Sequence, residues 1–180
     1  MTGQVEIDVG RDAGGWDALE DPEGLAERAA RAAVAGAVRA GAAHRIPPEG
    51  AEMSVTLSDD ESVRVLNRDY RGKDKPTNVL SFALADETEE SVTSGAGFPI
   101  LLGDVVLAFE TVDREAREQG KALSDHVAHL VVHGVLHLLG FTHDEEDEAS
   151  RMEALETAVL ATLGIADPYA AGAAHTPEER

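Results

Sequence analysis

Residues 133–143 read His-Gly-Val-Leu-His-Leu-Leu-Gly-Phe-Thr-His, and this stretch decides the fold. His133 and His137 are four residues apart, so on a helix both imidazoles project from one face and can chelate one small cation. Gly140 permits the left-handed turn that ends the helix and returns the chain to that face, where His143 adds a third nitrogen. The run therefore predicts a metal site with one coordination position left for water or substrate.

The residue types restrict the metal and the chemistry. The chain has no cysteine, so its ligands are nitrogen or oxygen, and three imidazoles favour one divalent ion per chain, with Zn²⁺ preferred. The same histidine spacing occurs in zinc proteases, where a glutamate directly after the first histidine acts as general base. Gly134 occupies that position here, which predicts close packing or substrate approach instead.

Length and charge exclude several classes of protein. A chain of 180 residues that is 43% hydrophobic suits one domain, expected over 1–165, with a flexible tail at 166–180. A formal net charge of −20 repels polyanions, so we expect no DNA partner, and any contact with RNA must be local. No export leader or bilayer-length apolar segment is recognisable, which predicts a cytoplasmic protein with no membrane partner.

The hydrophobic pattern predicts an α+β fold. Strands are expected over about 5–9, 53–57, 79–84 and 100–109, with a bulge near Gly103 and Asp104 and an exposed loop at 86–97. Helices are expected over about 25–40, 59–70, 110–118, 124–140 and 147–163. The fourth helix, with Ser124 as its cap, is apolar nearly all round apart from its histidines. We therefore predict a single small mixed sheet of about four strands, packed with about five helices around a central metal-binding helix.

A basic segment interrupts this acidic chain. Five of the 15 Lys and Arg residues lie within Arg64–Lys75, where only two acidic residues accompany them. Cleavage of a phosphodiester develops negative charge on phosphate oxygens, so a protein cation is expected beside the metal. Arg71 is the candidate, because a guanidinium offers a forked pair of donors that matches phosphate.

Other residues allow two interpretations each. Lys73 and Lys75 either steer phosphate or form solvated surface, and Thr77 and Asn78 either bond to RNA or shape the loop before a strand. His129 lies on the same helical stripe as the ligands, where it either contacts substrate or packs in the core. These five residues are candidate substrate-binding residues.

The motif at 133–143 resembles the YbeY family of bacterial ribosomal RNA maturation factors, which are metal-dependent endoribonucleases. The resemblance continues through Leu66-Asn67, residues 70–82 and Leu102-Gly103-Asp104. It implies that the three histidines hold a metal, usually zinc, and that Arg71 is the basic residue needed for activity on RNA. It further implies action on single-stranded RNA, maturation of the 3′ end of small-subunit (16S) ribosomal RNA, and a part in ribosome maturation and quality control. Its implied partners are ribosomal RNA and the small ribosomal subunit or its assembly factors.

Two other functions remain open at this point. The first is a zincin-like metalloprotease, which Gly134 and the basic segment disfavour. The second is a non-catalytic ribosome assembly factor that uses the metal only to stabilise its fold.

Overall fold

The computed structural model of the chain describes residues 2–84 and 97–170. In these ranges the strands are β1 (Val5–Arg11), β2 (Ala51–Ser58), β3 (Val79–Ala83) and β4 (Ile100–Ala108). The α-helices are α1 (Pro22–Arg39), α2 (Asp60–Arg71), α3 (Phe109–Glu118), α4 (Leu123–Leu138) and α5 (Glu146–Thr162). The predicted α+β class is confirmed. The predicted loop at 86–97 lies outside the described residues, except for Gly97.

The four strands form one mixed sheet in the order β1-β2-β4-β3. β1, β2 and β4 are parallel, and β3 runs antiparallel to β4 at the edge of the sheet. The register between β2 and β4 shifts where Glu52 and Met53 face Leu101 and Gly103, so Leu102 is the extra residue of a bulge. Gly103 adopts φ +136°, and a Cβ built there would lie 2.0 Å from the Phe82 carbonyl oxygen. Only glycine fits where β4 passes the Phe82 carbonyl of β3. The bulge predicted near Gly103 is confirmed.

Helix α4 occupies the middle of the fold. It packs against β3 and β4 of the sheet and against α1, α3 and α5. Nearly all of its side chains are buried, as its lack of a polar face predicts. At Gly134 the helix approaches the sheet closely, because a Cβ built there would lie 2.7 Å from Val105 Cγ1 and 3.2 Å from Ser81 Oγ. Close packing is therefore the role of this glycine.

Two predicted boundaries differ from the structure. Ser124 is not the cap of α4, because the helix begins at Leu123 and its N-cap is Ala122, which makes no side-chain capping bond. Packing of an apolar helix on all sides stabilises it without a polar cap. Phe109, predicted as the end of a strand, is instead the first residue of α3. Helix α2 does have a side-chain cap, since the Asp59 carboxylate accepts a hydrogen bond from Ser62 N at 2.8 Å.

The chain after α5 returns to α4. Lys121 Nζ donates to the Pro168 carbonyl oxygen at 3.3 Å, and the Tyr169 hydroxyl lies 3.2 Å from His129 Nε2. The packed part of the chain therefore extends beyond the predicted domain end at 165, and the rest of the predicted tail, 171–180, lies outside the described residues. None of the helices in the described ranges combines the length and the apolar character needed to cross a bilayer.

Candidate metal centre

Three histidines predicted as ligands converge at the carboxyl end of α4. His133 and His137 lie one helical turn apart on α4, and His143 follows the turn that begins at Gly140, where φ is +92°. One ring nitrogen from each of the three lies within 4.8 Å of the other two. The Nε2 atoms of His133 and His137 are 3.0 Å apart. The structure thus assembles a group that can hold a metal ion.

The hydrogen bonds on the far side of two rings determine where their lone pairs point. His137 Nδ1 lies 2.9 Å from the Phe141 carbonyl oxygen, which can only accept, so this nitrogen is the protonated one. His133 Nδ1 donates in the same way to the Glu156 carboxylate. When both imidazoles are neutral, the lone pair of each therefore lies on Nε2, and the two lone pairs face each other. Two such acceptors repel each other, and a cation between them removes the repulsion.

The protonation state of His137 suits this role. Burial, together with the charges that His133 and His143 would bear, lowers its pKa from 6.5 to about 3. At neutral pH the ring is therefore neutral. Because a metal ion binds only the deprotonated nitrogen, protons do not compete for His137 near pH 7.

Glu156 of α5, which was not predicted as a site residue, lies behind His133. It is 1% exposed, and it accepts hydrogen bonds from His133 Nδ1 and the Tyr169 hydroxyl, with His129 Nε2 3.5 Å away. Burial alone would raise the pKa of this carboxyl, but the bonds from His129 and His133 outweigh it and hold the pKa below its ordinary value. A sequence signal existed, because an acidic residue stands one helical turn after Met152 on the apolar stripe of α5. Tyr169 gave no such signal.

A second buried glutamate–histidine pair lies near the other end of α4. Glu115 of α3 lies 3.0 Å from His126 Nε2, and it accepts a hydrogen bond from Asn78 Nδ2, also at 3.0 Å. Asn78 is 1% exposed, and its Oδ1 accepts from Val79 N at 2.7 Å. Asn78 therefore joins β3 to α3 inside the core rather than lying on a surface.

Arg71, the predicted catalytic cation, ends α2 and lies at the free edge of β3. Its Nη2 donates to the Ser81 carbonyl oxygen at 2.7 Å, and its Cζ lies 5.6 Å from the centre of the Phe82 ring. Ser81 in turn approaches α4 at Gly134, beside the first histidine. Arg71 also lines a surface groove of about 650 Å³ together with Tyr70 and Phe82. Ser81 thus links Arg71 to the helix of the metal centre.

The remaining candidate residues divide into exposed and buried groups. Lys73 and Lys75 are exposed, and within residues 2–84 and 97–170 no carboxylate pairs with either. Thr77 and His129 are only 5% and 4% exposed. The structure therefore brings the two lysines, but not Thr77 or His129, to the surface that a substrate would meet.

Much of the charge in the basic segment is compensated. Arg64 forms ion pairs with Glu61, at 2.7 Å, and with Asp74. Arg68 pairs with Asp69 at 3.0 Å. The segment therefore presents fewer uncompensated cations than its composition predicts.

Comparison with known proteins places the chain in a family. Residues 19–164 match the family model described as Endoribonuclease YbeY. A protein named Endoribonuclease YbeY from Paramagnetospirillum magneticum is 53% identical over 170 residues, which cover 94% of this chain and 98% of that protein. One of the same name from Rhodospirillum rubrum is 54% identical over 167 residues, covering 92% and 82%.

A solution structure of TM1509 from Thermotoga maritima covers 91% of this chain and 98% of that one, at 21% identity and a TM-score of 0.49, a similarity too low to add to the assignment. The residues that the family model matches include the histidine motif, and the matches to the two relatives each cover more than nine-tenths of the chain. This chain belongs to the YbeY family of endoribonucleases.

Proposed function

We propose that this chain is a metal-dependent endoribonuclease that cleaves single-stranded RNA. The observation on which the proposal rests is the convergence of three imidazoles within 4.8 Å, in a chain of the YbeY family. We further propose that its substrate is ribosomal RNA, that it matures the 3′ end of the small-subunit RNA, and that it takes part in ribosome quality control in the cytoplasm.

Zinc is the metal that we propose, at one ion per chain. A tetrahedral zinc site places its nitrogen ligands about 3.3 Å apart, and the Nε2 atoms of His133 and His137 lie 3.0 Å apart. His143 completes a nitrogen donor set that leaves one position of a four-coordinate ion for a reactant. When bound, zinc supplies a Lewis acid that polarises a phosphoryl oxygen and lowers the pKa of water.

Arg71 is the residue that we propose to stabilise charge on the reacting phosphate. A guanidinium carries a permanent charge and forked donors that match phosphate, and that of Arg71 is held at the edge of β3 by the Ser81 carbonyl and the Phe82 ring. Lys73 and Lys75 follow directly on an exposed loop, where their charges attract an RNA backbone. Thr77, Asn78 and His129 are buried, so we assign them to shaping the site.

The acidic surface favours a substrate that is brought to the site rather than captured from solution. A net charge of −20 repels RNA over the range of a Debye length, about 8 Å at physiological salt. We therefore propose that the ribosomal small subunit or an assembly factor presents the RNA to the edge of β3.

The protease alternative is disfavoured by the packing of Gly134. The general base of those enzymes projects from the residue after the first histidine, and here that residue faces Val105 and Ser81 of the sheet at contact distance. A glutamate at this position would clash with the core. The assembly-factor alternative, in which the metal only stabilises the fold, is tested by measuring RNA cleavage and folding separately.

The deciding experiment measures cleavage of single-stranded RNA and of an unfolded protein, before and after chelation and zinc restoration. We expect RNA cleavage that chelation abolishes and zinc restores, and no proteolysis. Arg71→Ala should lower RNA turnover about 100-fold while zinc content stays at that of the wild type. Arg39→Ala, which removes one exposed cation at the end of α1, is the matched control and should leave turnover nearly unchanged.

Three outcomes would contradict the proposal. Proteolysis that His137→Ala abolishes would assign the chain to the proteases. Loss of zinc from Arg71→Ala would show that Arg71 supports the metal site rather than the phosphate. A His133→Ala variant that loses its folded structure, with no RNA cleavage by the wild type, would support the assembly-factor alternative.

A further inference from the structure

The carboxylate of Glu156 uses both of its oxygens behind the metal centre. Oε1 accepts from His133 Nδ1, and Oε2 accepts from the Tyr169 hydroxyl. His129 Nε2 lies 3.5 Å from Oε2 as a third partner. A carboxylate that is 1% exposed is costly to bury unless such partners compensate it. Two hydrogen bonds and the nearby imidazole of His129 compensate this one.

The bond to His133 determines both the tautomer and the ring orientation of that ligand. With Nδ1–H directed at a charged oxygen, the lone pair stays on Nε2, on the side where His137 and His143 converge. A carboxylate behind an imidazole also makes the ring a stronger donor toward a metal. An amide in the same place would lack the charge and could present its NH₂ group to the ring instead of its oxygen.

Tyr169 reaches this carboxylate from the segment that follows α5. Its ring packs edge-on against His129, with centroids 5.5 Å apart, and its backbone N–H donates to Asp167 Oδ1 at 2.8 Å. The neighbouring Pro168 carbonyl accepts from Lys121 Nζ. The segment 166–170 is therefore attached to the protein at more than one point, and the hydroxyl of Tyr169 lies between His129 and Glu156.

We propose that Glu156 is a positioning residue for the metal ligand His133, and that Tyr169 holds Glu156 in its productive orientation. The inference rests on the proposed function, because it requires a metal at the three histidines. It assigns to the segment after α5 a part in metal binding, through a chain of contacts from Tyr169 to Glu156 to His133.

The test is the zinc affinity of purified variants, measured by competition with a chromophoric chelator. Glu156→Gln should weaken zinc binding by about 10- to 100-fold, as expected for a partner of a ligand. Tyr169→Phe, which removes only the hydroxyl, should weaken it by about 3- to 10-fold. The double variant should bind no more weakly than Glu156→Gln alone, because Tyr169 acts through Glu156.

Glu115→Gln is the matched control. It makes the same exchange in the other buried glutamate–histidine pair of α4, where His126 is not a ligand. We expect it to lower the melting temperature of the zinc-free protein while its zinc affinity stays within about threefold of the wild type. The visible spectrum of cobalt-substituted protein should change in Glu156→Gln and not in Glu115→Gln, since it reports the ligand field.

The outcomes separate this inference from the proposed function. Failure of the wild type to bind zinc would overturn the metal centre itself. Zinc binding by the wild type with unchanged affinity in Glu156→Gln would overturn only the positioning role, as would an equal loss in Glu115→Gln. Additive losses in the double variant would overturn the link through Tyr169. Should Glu156→Gln fail to fold, Glu156→Asp, which withdraws the carboxylate by one methylene, decides: unchanged affinity rejects the inference.

Discussion

Helix α4 makes two buried glutamate–histidine pairs that differ in what lies beyond the histidine. His126 bonds to Glu115, which also accepts a hydrogen bond from Asn78 in the core. His133 bonds to Glu156, and its opposite nitrogen faces the Nε2 atom of a second histidine at 3.0 Å. A buried carboxylate–imidazole pair is therefore not by itself a functional site. What distinguishes the second pair is the convergence of further lone pairs on the far side of the ring.

The largest expected difference between the pairs is in zinc affinity. His133→Ala removes a ligand, and we expect zinc binding to weaken by about 100-fold or more. His126→Ala removes an equally buried imidazole from the same helix but no ligand, so the affinity should stay within about threefold of the wild type. Isothermal titration of the two zinc-free variants checks this. Comparable losses in both would show that core damage, and not ligation, controls zinc binding.

The second expected difference is in stability. Glu115→Ala leaves the donors of Asn78 and His126 buried without their acceptor, and it should lower the free energy of unfolding by about 2–4 kcal/mol. Free zinc at 100 times its Kd should still stabilise this variant by about 2.7 kcal/mol, as it should the wild type. Urea denaturation with and without zinc measures both quantities. If zinc no longer stabilised the Glu115→Ala variant, the two glutamate–histidine pairs would have to act as one cooperative unit.

The smallest expected effects come from adding one methyl group on either side of the centre. Gly134→Ala would place a Cβ 2.7 Å from Val105 Cγ1, so the neighbouring side chain must shift. We expect a loss of about 1 kcal/mol in the free energy of unfolding and unchanged zinc affinity. Gly140→Ala strains a backbone at φ +92° and would place its Cβ 2.6 Å from Arg45 Nη2. Because His143 follows this turn, zinc affinity should fall about 3- to 10-fold in that variant. Thermal melts and zinc titration of the two variants compare the effects, and the reverse pattern would contradict the assignment of the two glycines.

Local patterns in the chain were sufficient to predict the elements and the convergence of the three histidines. Helical spacing determined that His133 and His137 share a face, and Gly140 predicted the turn that brings His143 back. Periodicity cannot show which distant residue lies behind a ligand, because that depends on how α5 packs on α4. Glu156 and Tyr169 were therefore missed. For Thr77 and Asn78 the sequence allowed two interpretations, bonding to RNA or shaping the loop before a strand, and the burial of Asn78 against Glu115 of α3 favours the second.

The sequence by itself determined the element types, the α+β class and the three imidazoles, since each depends on spacings of a few residues. Only the tertiary structure decided the strand order β1-β2-β4-β3, the position of Arg71 against the edge of β3, and the carboxylate behind His133. The physical reason is the separation along the chain over which each kind of interaction acts. Backbone periodicity and capping act within one or two turns, whereas burial of a charge and pairing of strands depend on contacts between residues far apart in the chain.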